Sequence, residues 1–103
     1  MDITFQAHNA VISDRLRARA TAALTKLSRR LDRAVKATVR FEREETRCRV
    51  EIVIGTTRAR AMVAEGTGRY YGPALATALG HLDRQAAAEK RTVKDRAHKA
   101  ARR

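Results

Sequence analysis

Arg15, Arg19, Lys26, Arg30 and Arg33 recur down one stretch of the chain at spacings that belong to a helix. At about 100° per residue all five fall within roughly 60° of one another on a single flank. Asp14 and Asp32 fall on a different side. A face that only solubilises tends to mix signs and to set up pairs four residues apart. Here like charges face one another along an edge, at a cost in stability that an anion would relieve, so the chemistry this row can do is phosphate binding. A second basic set lies near the C-terminus. Arg84 and Arg91 are placed on the outer side of a further helix, and Lys94 is among the cations around its last turns. Arginine outnumbers lysine in both sets, and its planar fork suits bidentate phosphate contacts and base stacking.

Other reactive residue types do not assemble. His8, His81 and His98 are far apart, with no cysteine or carboxylate at ligand spacing, so no metal site and no cofactor is expected. Cys48 occupies the inward register of a strand, which reads as a buried structural thiol. Gly66-Thr67-Gly68 precedes a helix but lacks the Lys-Ser/Thr of a phosphate-cradling loop, and reads as a turn. Tyr70 and Tyr71 could stack on bases, although packing at the mouth of the helix is the plainer use. No nucleophile, base and orienting group come together. The expectation is a binding protein, not an enzyme.

The elements that position the cations follow from composition and pattern. Of the formal charge of +12 over 103 residues, residues 14–33 contribute +5 and residues 84–103 contribute +6, while 34–83 is nearly balanced. This excess on two elements points to a polyanion, nucleic acid first. A hydrophobic content of 44% supports one folded domain spanning 1–103, with the last ten or so residues read as a frayed basic tail. One cysteine excludes an internal disulfide framework. No apolar run approaches the ~20 residues of a membrane span, and the N-terminus lacks a secretory pattern, so a cytoplasmic location is expected.

Ile3, Phe5 and Ala7 alternate with polar residues, the mark of a half-buried strand. Ser13 is a good N-cap. Leu16, Ala20, Ala23, Leu24, Leu27 and Leu31 then predict a helix from about Asp14 to Leu31. Alternation returns at Val35–Phe41 and again at Cys48–Ile54, on either side of a polar turn at Glu44-Glu45-Thr46. Ala59, Ala61 and Val63 are read as the inward set of a fourth strand. Gly66, Gly68 and Gly72 with Pro73 break that strand, with Pro73 at the first position of a helix carried by Leu75, Leu79, Leu82, Ala86, Val93 and Ala97. The order is β-α-β-β-β-α. It predicts an α+β domain with a four-stranded sheet, both helices on one face, the first strand parallel to its neighbour and the rest an antiparallel meander.

The segment VISDRLRARATAALTKLSRRLDRAVKATVRFE, Val11–Glu42, resembles the ribosome hibernation-promoting factors. These are also called ribosome-associated inhibitor, protein Y or sigma-54 modulation proteins. Ser13, Leu16, Leu24, Lys26, Leu27, Leu31, Asp32 and Val39 carry the likeness, with Ala64-Glu65-Gly66 and Leu82-Asp83-Arg84-Gln85 further on. The family's Asp-Met-Tyr-Ala-Ala-Ile-Asp opening of the last helix is replaced here by GRYYGPALAT. The resemblance implies a translation inhibitor of resting, stationary-phase or stressed cells, seated in the decoding channel of the small ribosomal subunit. Basic residues of both helices would face ribosomal RNA; Lys26 carries over most directly. The implied partners are the small subunit and its rRNA, with no membrane, no small-molecule substrate and a monomeric free state. Two other readings compete: a general RNA- or DNA-binding module of similar fold, and a regulator docking on an acidic protein partner.

Overall fold

A computed structural model describes the backbone of residues 1–31, 34–57 and 60–101, and the side chains of those up to residue 88. The elements are β1 (Asp2–His8), α1 (Asp14–Ser28), β2 (Ala34–Arg43), β3 (Cys48–Thr56), β4 (Met62–Gly68) and α2 (Tyr71–Ala101). The sheet order is β1-β2-β3-β4. β1 lies parallel to β2, and the other two pairs are antiparallel. This is the predicted α+β arrangement, reached because the α1 crossover returns the chain in the same direction while short turns reverse it.

Side chains of one parity on the strands meet the apolar stripes of both helices in a single cluster. Leu24 and Leu27 of α1 join Val39, Phe41, Val50, Ile52 and Ile54 of the central strands and Leu75 and Leu82 of α2. Ile3 and Phe5, on the edge strand β1, are half-buried against that core, whereas Ala7 is exposed. With so few aromatics, one contact chain links Phe5 to Phe41 (ring centroids 6.4 Å apart) and Phe41 to Tyr71 (5.6 Å, edge to face). Aromatic pairs at this separation and tilt add to simple burial.

Ser13 caps α1 as its type predicts, its hydroxyl accepting from the Leu16 amide at 3.2 Å. The connector before it turns at Asn9, whose φ of 53° suits asparagine better than most side chains. The helix ends at Ser28, three residues short of the expected Leu31. Bonds from Arg30 N to Leu27 O (2.9 Å) and from Leu31 N to Ser28 O (3.3 Å) tighten the last turn into the i to i−3 pattern. Leu31 still packs against the core from outside the helix.

The fourth strand corrects the sequence reading. Its inward set is Met62, Ala64 and Gly66, while Ala61 and Val63 face outward and Val63 is 49% exposed. Cross-strand partners share a face, and Ala64 lies opposite Ile52, Gly66 opposite Val50 and Met62 opposite Ile54. Because residues of both parities in this stretch are apolar, alternation alone could not choose between them. Nor is Gly66–Gly68 a turn: it forms the end of β4. A Cβ on Gly66 would stand 2.2 Å from the Ala74 carbonyl oxygen and 2.7 Å from the Ala78 nitrogen. Gly66 is therefore the point where α2 rests directly on the strand backbone. Pro73 sits in the first turn of α2, two residues beyond its start at Tyr71. Val93 and Ala97 lie outside the residues with described side chains.

Candidate nucleic-acid interface

The stripe that buries Ala20, Leu24 and Leu27 fixes the rotation of α1, and with it the direction of each cation. Arg17, on one flank, leans toward β1 with its guanidinium carbon 5.7 Å from the Phe5 ring centroid. The opposite flank turns toward α2. There Arg19 Nη1 donates a long bond (3.4 Å) to the Gly72 carbonyl, and Arg30 Nη2 donates to Asp83 Oδ1 at 2.8 Å. Both contacts span 53 residues of sequence, so moving along α1 moves equally along α2. The two helices run parallel.

Between them lies a groove of about 530 Å³ lined by Ala23, Lys26, Leu27, Arg29, Arg30, Leu79, Leu82 and Asp83. Its floor is aliphatic and its rim carries three cations and one carboxylate. Among the described residues neither Lys26 nor Arg29 has an acidic partner. Of the cations singled out in the sequence, Lys26 and Arg30 meet at this groove and Arg19 lies further along the same flank. Arg15 and Arg84 are exposed. Arg33, and the side chains of Arg91 and Lys94, lie outside the described residues.

Two features of the site were not read from the sequence. By ideal helical angles Arg29 falls well away from the basic flank of α1, yet it lines the groove beside Lys26 and Arg30. The five flank cations are also not simply left to repel one another, since Arg30 is neutralised by Asp83 from α2. The two residues are far apart in sequence, and only the parallel packing of the helices brings them together.

The opposite face of the sheet has a different electrostatic character. Arg49 there donates to Glu42 (3.3 Å), Glu51 (3.0 Å) and, through Nε, Glu65 (3.1 Å). The hydrogen bond to Glu65 leads in holding its guanidinium above the ordinary pKa against the opposing effect of burial, and the charges of Glu65, Glu51 and Glu42 add to it. The exposed Arg40 lies opposite Glu51 on this same face, so charge there is mixed and largely paired, while unpaired cations among the described residues crowd the helix layer.

The histidine, cysteine and tyrosine side chains have structural settings. His81 Nδ1 lies 3.1 Å from the Glu65 carbonyl, which can only accept, so this nitrogen carries the proton. Gln85 Nε2 donates to the Val63 carbonyl at 2.7 Å. Together these side chains occupy carbonyls on the outer edge of β4. Cys48 is buried with its Sγ directed at the Arg69 carbonyl. Tyr70 is 67% exposed, whereas Tyr71 packs on Phe41. The Tyr71 hydroxyl is buried without a hydrogen-bond partner among the described residues. Burial, followed by the neighbouring Cys48, pushes its pKa up.

A four-stranded mixed sheet under two parallel helices, with a cation-rimmed groove between them, defines a small α+β domain whose helix layer carries the distinctive surface. The chain belongs to the family described as sigma 54 modulation protein / S30EA ribosomal protein, whose profile matches residues 3–94. Among solved structures it is similar to a ribosomal subunit interface protein from Coxiella burnetii, with TM-score 0.79 and 16% identity over 87% of this chain and 98% of that one. It is also similar to the N-terminal domain of Protein Y from Thermus thermophilus, with TM-score 0.71 and 23% identity over 84% of this chain and 96% of that one. At such identities these two likenesses concern the fold. No curated protein matches the chain in sequence.

Proposed function

We propose that this chain is a ribosome-associated translation inhibitor of the hibernation type, binding ribosomal RNA in the decoding channel of the small subunit through its two basic helices. The observation that carries the proposal is the collection of Arg19, Lys26, Arg29 and Arg30 on the flank of α1 that faces α2, in a domain of this family. Arg15 and Arg84 extend that surface, and Arg33, Arg91 and Lys94 are assigned to it from their sequence positions. The role is binding, with no catalytic step, in the cytoplasm and in resting or stressed cells. Among the described residues no helix is long and apolar enough to cross a membrane.

The test is co-sedimentation with separated ribosomal subunits on sucrose gradients across a salt series. Binding to the small subunit is expected, falling steeply with salt as phosphate counterions are released. Equal binding to any RNA would favour a general nucleic-acid module. A salt-insensitive complex with an acidic protein would move the regulatory reading to first place.

A further inference from the structure

The groove between α1 and α2 has more than the charge an RNA backbone needs. A phosphate contact requires cations and N–H donors. It gains nothing from an aliphatic floor of Ala23, Leu27, Leu79 and Leu82 set below Lys26, Arg29 and Arg30. A volume of about 530 Å³ lies within the range of small-molecule sites, roughly 300–1,000 Å³. An apolar floor with a cationic rim on one side is complementary to a flat heterocycle joined to a phosphate.

We propose that this groove is a nucleoside-phosphate site that takes one unstacked nucleotide. The base lies over Leu79 and Ala23, which are only half-buried and so present surface. Its phosphate meets Lys26 and Arg29, the two rim cations without an acidic partner among the described residues. Arg30 does not compete for that phosphate, since Asp83 Oδ1 holds it at 2.8 Å. The pair instead forms one wall, with the planar guanidinium available for stacking. The second oxygen of Asp83 is an acceptor without a partner among the described residues, so the site favours bases that carry an exocyclic amino group. Single-stranded RNA is read through splayed bases stacked and bonded in this way. The inference deepens the RNA-binding reading and rests on it for the source of the nucleotide. The same chemistry also fits a free nucleotide.

Two measurements test it. The first follows the methyl resonances of Ala23 and Leu79 while cytidine monophosphate, uridine monophosphate or inorganic phosphate is added to the whole chain. Cytidine monophosphate should shift both methyls saturably and bind several-fold tighter than uridine monophosphate, with phosphate leaving them in place. Methyls that ignore both nucleotides, or respond alike to phosphate, overturn the site. Equal binding of the two nucleotides overturns the part given to Asp83.

The second measurement uses Ala23→Leu, which fills the floor and leaves every charge unchanged. It should weaken small-subunit binding about tenfold, the size of one lost stacking contact, at an unchanged salt slope. If Ala23→Leu loses the nucleotide but keeps the subunit, the occupant is a free nucleotide and not a unit of RNA. If it loses neither, the groove is no site, even though loss of subunit binding in Lys26→Glu would leave the proposed function standing. If the parent chain ignores the subunit, the proposed function falls and the methyl titration alone judges the groove.

Discussion

Gly66 is held to hydrogen by backbone, with the Ala74 carbonyl oxygen and the Ala78 nitrogen inside any distance a Cβ tolerates. Gly66→Ala must push α2 off β4, and overpacking of this kind costs about 1–3 kcal/mol or more. Urea denaturation should show that loss, while Gly80→Ala, in the open part of α2, should be neutral or mildly stabilising as helix propensity predicts. Tyr71 runs the other way. Its buried hydroxyl has no partner among the described residues, so Tyr71→Phe should preserve or raise stability at neutral pH. The raised pKa makes the folded state hold its phenol proton where the unfolded chain releases it. That contribution is complete below an unfolded value of about 10 and is lost as pH rises through the folded value. Melting temperatures on an alkaline series should therefore fall more steeply for the parent than for the phenylalanine variant. Neither constraint is legible in the sequence, since glycine in a strand reads as a break and adjacent tyrosines look alike until one is buried.

At the scale of elements, alternation and helical spacing were enough to find all four strands and both helices, because each buries one face against a single core. They failed where both faces of a segment are apolar, as in β4, and where a helix tightens at its end, as at Ser28. The basic flank of α1 was legible from spacing, but its pairing with α2 was not, since Arg30 and Asp83 meet only in the packed molecule. Leu27 joins the two levels: it is 3% exposed in the core and also forms part of the groove floor. Leu27→Ala should cost about 2–5 kcal/mol, measured by chemical denaturation. Lys26→Glu should leave the melting temperature nearly unchanged, since exposed charges contribute little, yet weaken small-subunit binding strongly. Arg17→Glu is the matched reversal, on the flank that leans over Phe5, and should matter much less. Equal loss in both variants would mean diffuse attraction without a defined surface.

The whole molecule measures 55 × 23 × 19 Å, and its long dimension accords with a 31-residue α2 of about 46 Å. Because the helices run parallel, α1 finishes beside Asp83 while α2 continues to Ala101. The cations Lys26, Arg29 and Arg30 therefore gather toward the end of the body from which α2 continues to Ala101, within the stretch 84–103 that carries +6. The sheet's other face is mixed in sign, its three glutamates set beside Arg49 and Arg40. Such a body has a charge moment as well as a net charge. In the field of a polyanion it experiences a torque as well as an attraction, and it turns its basic end forward before contact. Electrostatic guidance of this kind acts on the rate of encounter. A larger share of collisions then begins near the docked orientation, and added salt slows arrival by removing the alignment together with the pull.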